Sequence, residues 1–411
     1  MGGWVRLTVD DMSDESDTPW LKWAVIYQVF IDRFFRAGGD LLTNNGTKPV
    51  FCGGNLQGVA EKMDYLSELG INTVWLSPFN KTAAYHGYHI TDYFKVEERF
   101  GGRKGFRELV RAAGSHRIRL IMDFVPNHVS VEHPIFQKAI RNRRSPFGKW
   151  FYWNKDRSYL RYLGVAELAK VNLDSKPARK HFTNAAKHWI DEGIAGFRLD
   201  HALGPSLDFW REFTEAVRAY APGTPLIGEI LFAGIQRQHL STIHLPDKHS
   251  YFLAHQLGFD VIDATMREYA FVFDGLLDFS FQRLLVKQLA NRKPPTSRKR
   301  IQQLLDEHYG GFPEGCALLS FLDNHDMNRF LFEAKGNKSL LRQAAEIQFA
   351  QASPPVIYYG TEIGMNQIGP VAGQGGDIRA RSAMAWDKPD RNLFKTYQGL
   401  IGRWKQRHGG A

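Results

Sequence analysis

GFRLDHALG, residues 196–204, reads as a short strand that ends in an acid. Arg198 and Asp200 lie two apart, so on a strand their side chains leave the same face. Phe197 and Leu199 leave the opposite face, which is apolar and suits burial under a helix. A guanidinium beside a carboxylate keeps it ionised at neutral pH, and an ionised, oriented Asp at a strand end can serve as a nucleophile. An isolated Arg-x-Asp is more often a structural ion pair. What changes the reading is the rest of the chain, where other strand-like segments also end in acids or imidazoles.

Toward the N-terminus, WAVIYQVF (23–30), INTVWLSPF (71–79) and RIRLIMDFV (117–125) read as strands one to three, with helical patterns over 56–69 and 106–114. The stretch YHGYHITDY (85–93) reads as an aromatic, His-rich loop, and the glycines within 101–105 follow no strand and read as a turn. Toward the C-terminus, PLIGEI (225–230), GLLDFSF (275–281), ALLSFLDNHD (317–326) and VIYYGTEIGM (356–365) supply strands five to eight. Helices are expected over 176–192, 206–220 and 392–405.

Eight strands, each followed by a helix, is the count of an α/β fold of the (β/α)8 TIM-barrel type, whose active sites lie at the C-terminal strand ends. The alternation breaks over 130–174, too long for an ordinary connection, so a short subdomain inserted after strand three is expected. The division is then a polar lead-in (1–20), a barrel (21–129 and 175–408) and the insertion (130–174). A doubly wound open sheet is the alternative, but no glycine-rich dinucleotide or phosphate fingerprint is present.

A chain of 411 residues with 43% hydrophobic and 23% charged content suits a large globular core. The net charge of +10 raises nucleic acid as a partner. The basic runs, RNRR (141–144) and KPPTSRKR (293–300), carry no interleaved aromatics and read as solvated faces, so no nucleic-acid partner is expected. No apolar run is long enough for a membrane span and no leader is visible at the start. Cys52 and Cys316 fit neither a disulfide framework nor a metal motif. A reduced, cytoplasmic protein with no membrane partner is the expectation.

The strand ends bring Asp123, Asn127 and His128 after strand three, Arg198 and Asp200 after four, Glu229 after five, and His325 and Asp326 after seven. The loop after strand two adds Tyr88. Gathering so much charge at one mouth is costly unless chemistry requires it. Paired carboxylates without a metal motif suit glycoside hydrolysis or transfer, one attacking the anomeric carbon while a protonated partner serves the leaving oxygen. Glu229 follows an apolar run with no cation adjacent in sequence, so a raised pKa makes it the better acid. The 29 Phe, 15 Tyr and 10 Trp leave aromatic faces for sugar rings.

DFVPNH (123–128), GFRLDHALG (196–204), GEI (228–230) and FLDNHD (321–326) resemble the four conserved segments of the α-amylase family of glycoside hydrolases, in that family's order and spacing. YHGYHITDY, AVIYQVFIDRF (24–34) and VIYYGTEIGM also resemble it, and the match spans about 23–386. The resemblance implies that Asp200 is the nucleophile, Glu229 the general acid/base, and Asp326 the third carboxylate that grips sugar hydroxyls. It implies that His128 and His325 bond the reacting sugar, Arg198 orients the nucleophile and Tyr88 stacks on that sugar, while Asp123 is structural. It further implies retention through a covalent glycosyl intermediate, with the Asp200 and Glu229 carboxyls about 5–5.5 Å apart. LAKVN (168–172) resembles a motif of the neopullulanase and cyclomaltodextrinase type.

The pattern departs in three places. Leu203 and Gly204 stand where starch-cleaving relatives carry Lys-His, RSAMAW (381–386) is an altered version of a late motif, and the chain stops just after the eighth helix. The C-terminal β-sandwich of most relatives is therefore expected to be absent, and an oligomer that covers the barrel is left open. No cofactor is required by this reading. Calcium stays open at Asn127, which matches a calcium-ligating position, although Asp156, Glu167 and Asp174 are thin company for a calcium shell. The expected activity is hydrolysis of α-1,4 bonds in malto-oligosaccharides, cyclodextrins or related α-glucans. The alternatives are a 4-α-glucanotransferase or trehalose-forming isomerase and, more remotely, a catalytically silent sugar-binding barrel.

Overall fold

The computed structural model describes residues 20–42, 46–231, 262–372 and 376–408. Its strands are β1 (Ile26–Val29), β2 (Thr73–Leu76), β3 (Asn80–Thr82), β4 (Ile90–Val96), β5 (Arg119–Phe124), β6 (His128–Ser130), β7 (Leu168–Lys170), β8 (Gly196–Leu199), β9 (Leu226–Gly228), β10 (Gly275–Leu277), β11 (Ala317–Phe321) and β12 (Pro355–Tyr358). Eight of them close a barrel in the order β1-β12-β11-β10-β9-β8-β5-β2. Every neighbouring pair is parallel, including the seam where Ile26 pairs with Val356. This is the expected (β/α)8 architecture.

Strand alternation builds two cores. One side chain set, including Ile26, Trp75, Ile121, Ile227, Leu277, Leu319 and Val356, forms an apolar cluster inside the barrel. The intervening set, including Val74, Leu120, Phe197, Leu226, Leu276 and Ile357, belongs to the larger cluster shared with the helices. Phe197 meets Phe124 at 5.6 Å, and Phe124 stacks on Phe213 of the helix Leu207–Tyr220 at 5.7 Å. One step of two residues further along three strands, the inner column turns polar: Ile26 gives way to Gln28, Ile121 to Asp123 and Ile227 to Glu229. The apolar half of the barrel is a plug, and the polar half opens the mouth.

Three local readings change. Strand six stops at Leu277, because Asp278 turns to accept the Phe281 N–H and caps the helix Phe279–Leu285. His308 holds that carboxylate at 3.0 Å. The aromatic loop 85–93 becomes strand at Ile90, where β4 pairs antiparallel with β3. Gly101, at φ +98°, does turn the chain, but Gly102–Ser115 is already helix. Between β5 and the helix Lys176–Asp191, the chain carries the antiparallel β6/β7 pair and the helix Pro134–Arg141. The expected lead-in lies outside the described residues up to residue 19, as does most of the long connection after β9, 232–261. Among the described residues no helix is long and apolar enough to cross a membrane.

Candidate active site

Arg198 sits at the centre of the mouth, 1% exposed. Its Nη1 donates to Asp123 Oδ1 at 2.6 Å and to Asp200 Oδ1 at 2.9 Å, and its Nη2 reaches Glu229 Oε1. Register explains the convergence: Asp123 pairs with Arg198 across β5/β8, and Leu199 with Gly228 across β8/β9, so Glu229 comes up beside Asp200. Glu229 therefore does have a cation beside it, supplied by the neighbouring strand rather than by its own sequence. The guanidinium's pull is divided among three acids.

That division decides the electrostatics. Burial pushes the Asp200 carboxyl well up, against Arg198, and Glu229, Asp123 and Asp326 push it further. Burial likewise pushes Glu229 up to about 7, with Arg198 pulling it down and Asp326 pushing it up. Arg198 pulls Asp200 down against burial and the neighbouring acids, a contest that its sequence neighbourhood alone does not reveal. The acids titrate as a group that retains a proton near neutrality. Asp123 is fully buried and bonded by Arg198, Tyr88 and Trp75, in keeping with a structural acid.

The third carboxylate stands on the other side. His325 Nε2 lies 3.1 Å from Asp326 Oδ2, and Arg381 Nη2 donates to Asp326 Oδ1 at 2.9 Å. Arg381 also donates to the His325 carbonyl at 2.9 Å and pairs with Asp377, so the altered motif 381–386 delivers an arginine to the site. Tyr88 stacks on His325 with ring centroids 5.5 Å apart and donates to Asp123 Oδ2 at 2.9 Å. Gln28 on β1 approaches His325 Nδ1 at 2.7 Å. An amide N–H there leaves the imidazole proton on Nε2, facing Asp326 and the Tyr88 oxygen at 2.5 Å. Burial holds His128 and His325 neutral, well below the usual imidazole range.

His128 stacks on Tyr162, centroids 4.2 Å apart, and its Nε2 is buried with no hydrogen-bond partner among the described residues. Tyr162 comes from the insertion and roofs the mouth, close enough for Asp200, Glu229 and Asp326 to raise its phenol beyond what burial does. The mouth thus brings together Tyr88, His128, Arg198, Asp200, Glu229, His325 and Asp326. Gln28, Tyr162, Lys170, His201 and Arg381 join them without having been singled out as site residues. The polar residue inside an otherwise apolar strand was a readable signal for Gln28. Tyr162 had none, since the insertion follows no periodic pattern.

Asn127 does not fit a calcium shell. Its Oδ1 accepts from Lys170 Nζ, and the same ammonium donates to the Gly204 carbonyl at 2.8 Å. The cation joining insertion to barrel is a buried lysine, and a second positive charge there would be repelled. Asp156, Glu167 and Asp174 are all exposed instead. Gly204 is confined as well, because a Cβ would strike the Asn127 amide, so a larger residue at 204 would need that amide to move.

A family model described as the α-amylase catalytic domain matches residues 28–401. The chain is 35% identical over 394 residues to α-amylase 2 of Dictyoglomus thermophilum, covering 94% of this chain and 64% of that protein. It is 30% identical over 412 residues to an intracellular maltogenic amylase of Bacillus subtilis, covering 95% and 64%. The chain thus spans a little under two thirds of the length of these relatives. Among solved structures, a cyclomaltodextrinase superposes with a TM-score of 0.77 at 27% identity, over 95% of this chain and 64% of that one.

Proposed function

The chain belongs to the α-amylase catalytic-domain family, and on that premise we propose that it is a retaining α-glycoside hydrolase acting on α-1,4-linked malto-oligosaccharides and cyclodextrins. The observation that carries the reading is Arg198 bridging Asp123, Asp200 and Glu229 at a mouth that Asp326 faces from the loop after β11. Asp200 attacks the anomeric carbon, and Glu229 gives its proton to the leaving oxygen, then takes one from water when the glycosyl ester is hydrolysed. Arg198 orients both carboxyls and offsets charge on Asp200. Asp326 and the neutral imidazoles of His325 and His128 bond the sugar as it flattens, and Tyr88 offers a stacking face. A cytoplasmic location accords with the name of the Bacillus subtilis relative.

The test is product analysis with maltotriose, maltoheptaose, β-cyclodextrin and trehalose. Glucose and maltose, with cyclodextrin opened, support the hydrolase. Longer oligomers or a rearranged disaccharide would replace it with a transferase or isomerase. Asp200→Asn should lower kcat by about 10⁴-fold, and retained turnover in that variant would remove Asp200 as nucleophile.

A further inference from the structure

His201 is the first residue past Asp200, and its backbone lies in the left-handed region at φ +43°. A residue with a Cβ is strained there, and such conformations persist where the surroundings impose them. The turn is tight: the Gly204 N–H returns to the His201 carbonyl at 2.8 Å, and the Ala202 N–H bonds the Glu229 carbonyl at 3.0 Å. The His201 N–H itself points to Glu229 Oε2 at 2.9 Å.

These facts are linked. Turning the Asp200–His201 peptide plane over changes ψ of residue 200 and φ of residue 201 together, so the positive φ marks one of two orientations. In the observed one the N–H faces the Glu229 carboxyl, and in the other the Asp200 carbonyl would face that acid. We infer that His201 is a positioning residue whose left-handed backbone aims its own N–H at Glu229 and so fixes the carboxyl plane of the acid/base. Glu229 is then tied at Oε2 by His201 and at Oε1 by Arg198. The imidazole is not the agent. It is buried, sits edge-on to Tyr162 at 4.8 Å, leaves Nε2 without a partner among the described residues, and stays neutral because burial, Lys170 and Arg198 disfavour its proton. His is one of the few residues with a side chain that enters the left-handed region readily.

The consequence for turnover rests on the proposed function, whereas the effect on Glu229 does not. The experiment compares His201→Gly and His201→Asn, which accept positive φ, with His201→Ala and His201→Val, which disfavour it. On maltoheptaose, His201→Val is expected to lose about 30-fold or more in kcat, the scale of one misplaced donor, with KM within about twofold. His201→Ala falls between, and the Gly and Asn variants recover most of the loss. The basic limb of the pH profile moves up by about half a unit or more in the Val variant, because an N–H that favours the ionised carboxylate is gone. Equal loss in all four variants would assign the work to the imidazole and overturn the inference, as would full activity in His201→Val. Thermal melts accompany each variant, and Ala replaces Val in the comparison if Val does not fold. Should the parent turn over no α-glucan, the functional reading fails, but ¹³C titration of the Glu229 carboxyl still decides. An upward shift in Val or Ala that is absent in Gly and Asn supports the aiming role, and identical titration in all of them removes it.

Discussion

At Glu229, burial and Asp326 act against Arg198, and the balance leaves the carboxyl titrating near 7. An acid that must be protonated to serve the leaving oxygen loses activity as pH rises through that value. We therefore expect kcat/KM to fall above about pH 7, and a profile flat to about pH 9 would remove Glu229 from the acid role. His325 gets its proton placement from a different source, the Gln28 amide at its Nδ1. Gln28→Leu should lower kcat/KM about tenfold, the worth of one buried hydrogen bond, and a ¹⁵N spectrum should show the Nδ1–H tautomer appearing. An unchanged tautomer would separate Gln28 from the site. Asp200, Glu229 and Asp326 were legible in sequence because a strand end names the face its acid occupies. Which cation each acid meets was not legible, since Arg198 serves Glu229 only through the β8/β9 register.

Among the elements, β7 matters beyond its three residues, because Lys170 at its end binds both Asn127 and the Gly204 carbonyl. It pins the insertion to the loop that follows β8. Chelator is expected to leave both melting temperature and activity unchanged. Lys170→Met should lower stability by about 3 kcal/mol, since it removes the donor from two buried acceptors, and added calcium should not restore it. A chelator-sensitive parent, or a Met variant rescued by calcium, would contradict the lysine pin. The elements themselves were readable where the period was clear, as in the helices 176–191 and 207–220. They were misread where a side chain overrode propensity. Asp278 ends β10 early by capping the next helix, and nothing in the apolar run GLLDFSF announces that His308, thirty residues on, will hold it there.

For the whole molecule, the count of eight strands and the break after the third were enough to reach a closed barrel. The periodicity that divides inner from outer core is a property of strands alone. The insertion's internal arrangement was not accessible in the same way, since its segments pack by aromatic contacts such as Phe136 with Phe151 at 4.9 Å and follow no repeating face. The gathering of acids around one guanidinium also has a meaning for the fold as a thermodynamic object. Glu229 titrates higher folded than its ordinary 4.5. The native state therefore holds an extra proton between about 4.5 and 7, and stability drains away as pH rises across that window. Glu229→Gln, which removes the proposed acid/base, should melt about 2 °C above the parent at pH 8 and level with it at pH 5, a difference read directly by calorimetry. A higher parent melting point at pH 8 would reverse the conclusion. On that expectation the mouth trades stability for chemistry, so a descendant released from the need to react would drift toward neutral residues there first.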